Sequence, residues 1–149
     1  MAQATYTHTV NVTVSDQQAW DALQNYETWG NIGPVSSVSN PVNQPDGVLA
    51  SFDWVANVGS KAYPGKAWVT GYDLISRYEL TMDSSEIAGD VVATLVPNGD
   101  GCDVTIEITF RTKGMLSAMF FPAIKSALAS GFPQQVEDIA VGIESSLDN

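Results

Sequence analysis

Polar and apolar residues alternate strictly near the amino terminus. From Thr5 to Val14 the sequence TYTHTVNVTV places Tyr, His and three valines at even positions, with Thr and Asn at odd positions. A period of two, rich in β-branched residues, is typical of a strand with one covered face. The chain therefore begins with a predicted strand, and His8 lies on its apolar face.

A short helix is predicted directly after this strand. Ser15 offers an N-cap and Gln18 completes a capping box. The helix is expected to end near Gln24, and a second short turn over Tyr26–Asn31 is stopped by the Gly-Pro pair that follows. Its apolar stripe consists of Ala19, Trp20 and Leu23.

Six further antiparallel strands are predicted in the middle of the chain, which gives seven in all. Turn-forming residues separate them, most clearly in the Pro-Asn-Gly-Asp-Gly sequence at residues 97–101. The last strand shows the cleanest alternation. The predicted strands are Val35–Val42, Val48–Asn57, Lys66–Leu74, Arg77–Asp83, Ile87–Val96 and Asp103–Lys113.

The pattern becomes helical after Gly114. The predicted helix is about 30 residues long, which corresponds to roughly 45 Å. Pro122 is expected in the first turn, and Gly131 and Pro133 predict a kink near Ser130. Apolar residues recur at spacings of three and four, or their sums, at Phe120, Ile124, Leu128, Val136, Ile139, Ile143 and Leu147.

This order of elements predicts one α+β domain over residues 1–149. A single helix is about 10 Å wide, whereas seven strands about 4.8 Å apart span far more. The sheet must therefore curl around the helix, or space must remain between them. Both outcomes predict a curved sheet gripping a long carboxy-terminal helix, with two short helices closing one end.

Three stretches resemble the START-like, or SRPBCC, superfamily, which includes the birch-pollen-allergen fold and the polyketide cyclase/dehydrase family. VTVSDQQAWDALQNYETWGNIGPVSSV (Val12–Val38) is similar to its opening strand, helices and second strand. LVPNGDGCDVTIEITF (Leu95–Phe110) is similar to its late hairpin, and GFPQQVEDIAVGIES (Gly131–Ser145) to its terminal helix. The order and spacing of the three carry the resemblance, while residues 47–83 match only loosely.

The resemblance implies the helix-grip fold and a cavity between sheet and terminal helix for an apolar or aromatic small molecule. Members include lipid and isoprenoid carriers, hormone binders and polyketide cyclases or dehydratases, and fold alone does not choose among them. Large rings and methionines in the core either line such a cavity or simply fill it. The candidate ligand-binding residues are His8, Phe52, Trp54, Trp68, Tyr78, Met82, Phe110, Met119, Phe120, Ile124 and Leu128.

His8 is the weak catalytic candidate, because a histidine pKa lies near physiological pH. It is interpreted either as a polar anchor or proton carrier, or as a residue near solvent at the end of a strand. Asp53 and Asp73 lie in strand-like stretches, but nothing in the sequence forces them together. The loop at 59–65 is either a lid at the cavity mouth or, as we favour, an ordinary hairpin loop.

The charge of the chain narrows the possible partners. Seventeen acidic and six basic side chains give a net charge of −11, which argues against nucleic acid and against electrostatic membrane anchoring. One cysteine and one histidine cannot build a structural zinc site, and neither metal nor cofactor is expected. No signal peptide or membrane span is recognised. We therefore expect a cytoplasmic protein, monomeric or weakly dimeric.

Three functions remain open at this point. The first is non-catalytic binding of a small hydrophobic molecule such as a lipid, an isoprenoid or an aromatic polyketide. The second is a cyclase or dehydratase that uses the same cavity, with His8 as its acid or base. The third is a protein-partner module without a ligand, which predicts a core packed shut by Trp54, Trp68 and Phe110.

Overall fold

Seven antiparallel strands form one sheet in the computed structural model, which describes residues 3–58 and 60–145. Consecutive strands are neighbours from the second to the seventh, and the first strand pairs with the seventh, so the order is β1-β7-β6-β5-β4-β3-β2. The strands are β1 (Gln3–Val12), β2 (Val35–Asn43), β3 (Leu49–Val58), β4 (Lys61–Asp73), β5 (Arg77–Ser84), β6 (Ile87–Asn98) and β7 (Gly101–Thr112).

Two short helical elements follow β1, as predicted. Helix α1 (Asp16–Leu23) begins at the capping box of Ser15 and Gln18, because the Ser15 hydroxyl accepts from the Gln18 backbone N–H at 3.2 Å. A 3₁₀ helix (Tyr26–Trp29) comes next. Trp29 Nε1 donates to the Leu23 carbonyl at 3.1 Å and ties the two elements together. The two helical elements, here called the plug, cover one end of the sheet with buried apolar side chains.

Helix α2 (Met115–Ser145) is long and packs against β1, β7 and α1. It runs unbroken through Gly131 and Pro133, and Pro122 lies inside it rather than in its first turn. The predicted helical position Leu147 lies outside the described residues. Among the helix residues whose burial the structure describes, the buried ones begin near the middle of α2 and continue toward its carboxy-terminal end, at Leu128, Phe132, Val136, Ile139, Ala140 and Ile143.

The hairpin between β3 and β4 is tighter than the sequence suggested. β4 begins at Lys61, so Tyr63 and Pro64 are strand residues paired with Ala56 and Val55. Gly59 lies outside the described residues. The lid considered for residues 59–65 is therefore wrong for residues 61–65, because these residues belong to a strand. The favoured alternative, an ordinary hairpin, agrees with the pairing of β3 and β4.

Alternation gives the sheet one apolar and one polar face. In β7 the residues Val104, Ile106 and Ile108 are buried against the helices, whereas Glu107 is exposed on the outside. The predicted α+β helix-grip architecture is confirmed. Within residues 3–58 and 60–145, no helix has both the length and the apolar character needed to cross a bilayer.

Candidate functional site

A small apolar cavity lies on the inner face of the sheet. Its volume is about 20 Å³, which is room for roughly one water molecule. β3, the β5–β6 hairpin and β7 supply most of its walls, and the segment Ile32–Val35, here called the cover segment, supplies the rest. Its lining residues are Ile32, Pro34, Val35, Trp54, Met82, Ile87, Ala88, Gly89, Asp90, Ile108, Thr109 and Phe110.

Trp54 is the largest side chain in this lining. It is 1% exposed, and its indole lies against β4 at Gly65, the residue paired with it across the strands. A Cβ at Gly65 would overlap Cε2 and Cζ2 of the indole. In the described part of the chain, Trp54 Nε1 is buried and has no hydrogen-bond partner.

One side chain of α2, that of Gln135, holds the cover segment through two hydrogen bonds. Gly33 N–H donates to Gln135 Oε1 at 2.9 Å, and Gln135 Nε2 donates to the Gly33 carbonyl at 3.0 Å. Gly33 has φ +56°, and a Cβ there would lie 2.5 Å from Ile108 Cδ1. A residue without a side chain is therefore required where the segment turns over the cavity.

Tyr78 lies in the core, but its polar end is already engaged. Its hydroxyl donates to the Leu49 carbonyl, and burial raises the pKa of the phenol. The ring stacks on Trp29 with centroids 6.3 Å apart and meets Trp20 edge-on at 6.0 Å. The Tyr78 hydroxyl is therefore already hydrogen-bonded. The predicted ligand-binding role of Tyr78 is reduced to apolar contact through its ring.

The His8 side chain extends from β1 toward α2 and does not line the cavity. Its side chain is 29% exposed, and Nε2 lies 3.1 Å from Oε1 of Glu137. Its neighbour on the same face, Tyr6, donates through its hydroxyl to the Lys125 carbonyl at 2.9 Å. The pair of interactions joins the first strand to the last helix, which is a structural role.

Two predicted ligand-binding aromatics point away from the inner face. Trp68 is 40% exposed; Ala67 before it faces the core, so Trp68 must face outward, beside Ser51 and Thr81. Phe120 is exposed as well. The residue that faces the core is Phe121, whose ring stacks on Phe110 with centroids 5.9 Å apart.

The exposure of Phe120 has a geometric cause. Phe120 lies two steps of four residues before Leu128 on the predicted stripe, whereas Met119, a candidate as one of the methionines and not through the stripe, is 71% exposed. Each such step overshoots a full helical turn by about 40°, so Phe120 lies far off the direction of Leu128. Ile124 remains partly buried against the core, and Phe52, Met82 and Phe110 are buried on the inner face.

Some lining residues were not singled out from the sequence. Pro34 belongs to the Gly-Pro pair, which was interpreted only as a helix stop, and Ile32 and Val35 flank that pair. Ile87 and Ile108 were placed in strands but given no role. Nothing in the sequence links Gln135 to Gly33, since contact across 102 residues is not visible in local patterns.

Ionisable groups are scarce around the cavity. Among the described residues that line it, Asp90 has the single titratable side chain, and it is paired with Arg111 at 2.7 Å and accepts from Thr81 at 3.1 Å. Cys102 is buried, and burial raises the pKa of its thiol. Over residues 3–58 and 60–145, no three His, Cys, Asp or Glu side chains converge to hold a metal ion.

Two other depressions lie elsewhere. One, about 180 Å³, separates the 3₁₀ helix from the second half of α2 and includes Glu27 and Asp138. The other, about 430 Å³, is an open groove on the outer face beside Asp53. Asn40 and Lys66 hydrogen-bond to the Asp53 carboxylate and lower its pKa. Asp53 and Asp73 are not brought together as a pair.

Comparisons with known proteins identify the fold. No family model matches the sequence, and no curated protein matches it. Solved structures do match over nearly the whole chain. The Zhui aromatase/cyclase from Streptomyces sp. R1128 aligns with a TM-score of 0.69 and 10% identity, over 98% of this chain and 96% of that one.

Two further structures have the same architecture. A START superfamily protein from Mycobacterium smegmatis aligns with a TM-score of 0.60 and 13% identity, over 91% of this chain and 98% of that one. Ara h 8.0201 aligns with a TM-score of 0.60 and 17% identity, over 99% of this chain and 100% of that one. The predicted START-like, or SRPBCC, resemblance is thus confirmed as a likeness of fold.

Proposed function

We propose that the protein binds a small, predominantly apolar molecule between the inner face of the sheet and the cover segment. The observation that carries the proposal is the cavity itself, which is walled by apolar side chains on a continuous sheet and closed by a short segment. Side chains almost fill this space, which measures about 20 Å³. A ligand therefore has to displace side chains and lift the cover segment.

The cover segment is suited to such a displacement. Ile32 and Val35 bury their side chains in the core. Two hydrogen bonds from Gln135 of α2 also hold the segment. Lifting it would break the two Gln135 hydrogen bonds and the pairing of Val35 with Ala56 at the start of β2, while the other strand pairings stay in place. Met82 in the opposite wall is adaptable in shape and suits ligands of varied outline.

An aromatic polyketide, a lipid or an isoprenoid fits this chemistry. The likeness of fold to a protein named as an aromatase/cyclase supports the first of these, although identity is only 10%. Catalysis is less well supported, because Asp90 is paired with Arg111 and His8 with Glu137. Binding without turnover is therefore the function that the cavity favours.

A blocking substitution in β2 tests the proposal with a matched control. Val35 is 6% exposed and lines the cavity, whereas Val42 in the same strand is 56% exposed. Titration with the neutral aromatic probe N-phenyl-1-naphthylamine is expected to give saturable, one-site fluorescence. Val35→Phe should weaken binding at least about 10-fold by filling the space, and Val42→Phe should leave it unchanged.

Val35→Leu keeps the test decisive if Val35→Phe does not fold, because it should produce a smaller loss in the same direction. Native mass spectrometry of protein purified from its own host is the second measurement, and a co-purifying apolar molecule is expected. Absence of saturable probe binding to the native protein, or equal binding by the Val35→Phe and Val42→Phe variants, would refute binding at this cavity.

A further inference from the structure

We infer that the natural ligand carries a neutral hydrogen-bond acceptor, such as a ketone or quinone oxygen, which accepts from Trp54 Nε1. The inference rests on the proposed function and adds the chemical class of its ligand. The starting point is the buried N–H of Trp54, which has no hydrogen-bond partner within residues 3–58 and 60–145. Its indole forms part of the cavity wall.

Other buried donors of this protein do have partners. Trp29 is equally buried, and its Nε1 donates to the Leu23 carbonyl at 3.1 Å. Tyr78 donates to the Leu49 carbonyl, and the buried Gln24 amide donates to the Trp20 carbonyl at 3.3 Å. A buried donor without a partner is costly and uncommon in native proteins. In the part of the chain that the structure describes, Trp54 is therefore the exception, and it calls for an external acceptor.

The position of the Trp54 indole is built into the sheet. β4 has Gly65 directly opposite, and any Cβ there would overlap the indole atom Cε2, which is bonded to Nε1. A glycine inside a strand is unfavourable unless another group approaches closely. Gly65 therefore lowers the stability of β4, and the absence of a side chain at this residue makes room for the indole in one fixed position.

Water is a poor partner for this N–H. An ordered buried water needs two to four polar neighbours, and the walls around Trp54 are mainly the apolar side chains of Ile32, Met82 and Ile108. A ligand oxygen attached to an apolar body meets both requirements, because the body occupies the apolar walls and the oxygen accepts the hydrogen bond.

A neutral acceptor fits better than an anionic one. Burying a carboxylate or phosphate is strongly unfavourable without a cation beside it, and no lysine or arginine lines the described cavity. The negative carboxylate of Asp90 borders the site, and the chain as a whole has a net charge of −11. A fatty acid or an acyl phosphate is therefore disfavoured relative to a ketone, a quinone or an ester.

A matched pair of ligands tests the inference. 1-Indanone and indane have nearly the same shape and differ by one carbonyl group. The ¹H–¹⁵N spectrum of the indole groups is recorded with each, and the Trp54 resonance is assigned with Trp54→Phe. Trp68→Phe is the matched control, because it makes the same change on the outer face. 1-Indanone should move the Trp54 N–H proton downfield and slow its exchange, while indane should do neither.

Affinities give the second readout. The ratio of indanone to indane affinity should fall by about 2- to 10-fold in Trp54→Phe, the usual net contribution of one hydrogen bond, and stay constant in Trp68→Phe. If both ligands bind at the cavity with the Trp54 proton unmoved and the ratio unchanged, the inference is wrong but the proposed function stands. If neither ligand shifts the methyl signals of Val35 and Ile108, the proposed function fails, and the inference fails with it.

Discussion

Tyr78 is a single side chain on which several parts of the core depend. Its ring contacts Trp20 and Trp29, and its hydroxyl reaches the Leu49 carbonyl at the start of β3. Ionising this phenol would place a charge in apolar surroundings, which is why burial raises its pKa. The plug of short helices and the sheet are thus joined through one neutral hydroxyl.

Stability should fall at alkaline pH through this group. The folded pKa of Tyr78 lies above its ordinary value of 10.0, so its contribution to stability is complete below about pH 10 and is lost as the pH rises toward the folded pKa. Tyr78→Phe should cost about 1–3 kcal/mol at neutral pH and make the alkaline loss shallower. Urea-unfolding midpoints measured across the range test this, with Tyr26→Phe in the 3₁₀ helix as control. A Tyr78→Phe profile as steep as the native one would contradict the assignment.

The direction of individual side chains was predictable wherever alternation was regular. Phe52, Trp54, Met82 and Phe110 were expected in the interior and are buried there. Trp68 was assigned to the wrong face because the alternation of its predicted strand is interrupted by Gly71, which carries no side chain to show direction. The free N–H of Trp54 could not be predicted at all, since it depends on which acceptors happen to lie nearby in space.

At the scale of the elements, two glycines have opposite roles. Gly142 lies in α2 with open space where a side chain would project, whereas Gly65 lies in β4 under the Trp54 indole. The first glycine only weakens its helix, because glycine has a high conformational entropy in the unfolded chain. The second permits a close contact that the cavity wall requires.

Alanine substitution should therefore act in opposite directions. Gly142→Ala should raise the free energy of unfolding by about 0.5–1 kcal/mol, and Gly65→Ala should lower it by about 1–3 kcal/mol through overlap with the indole. Thermal and urea unfolding of the two variants against the native protein measure the difference. Equal effects of the same sign would show that the contact at Gly65 is not constraining.

The Gln135 side chain should control how easily the cover segment opens. Gln135→Ala removes both hydrogen bonds to Gly33, so amide hydrogen exchange at Gly33 should accelerate by about 5-fold or more. The matched control is Gln134→Ala, because Gln134 is exposed and its Nε2 donates to Asp138 Oδ1 at 2.9 Å within the same helix. Unchanged exchange at Gly33 in Gln135→Ala would mean that core packing alone holds the segment.

Most elements followed from periodicity and capping. The Ser15 capping box placed α1 correctly, and turn residues located the strand ends to within a few residues, except at β4. That strand starts five residues before the predicted Lys66 because Tyr63 and Pro64 were taken for a loop. Pairing with β3 overrides the local preference there. The docking of Gln135 on Gly33 is tertiary and has no signature in either element.

At the scale of the whole molecule, charge is the dominant feature. The outer face of the sheet carries ion pairs such as Lys66 with Asp53 and Lys113 with Asp83. Six basic residues cannot neutralise seventeen acidic ones, so the folded chain repels itself. Exposed pairs contribute only about 0–1 kcal/mol each to stability.

Salt should consequently stabilise the protein. Raising the NaCl concentration shortens the range of repulsion, to about 10 Å at 0.1 M and about 3 Å at 1 M, and the melting temperature should rise over this range by several degrees. Choline chloride should act similarly, because screening depends on ionic strength rather than on the identity of the cation. A melting temperature that falls with both salts would show that the surface ion pairs outweigh the net charge.

The pairing of β1 with β7 has a consequence for how the chain is made. Gln3 pairs with Arg111 and Val12 with Cys102, so β1 waits for a partner that is synthesised after all five other strands of the sheet. The apolar side of β1 lacks its neighbour in the sheet until β7 has been made. Non-local pairing of this kind slows folding and prolongs exposure to aggregation. In this protein the pairing of β1 with β7, which completes the sheet, is therefore expected to be a late step of folding.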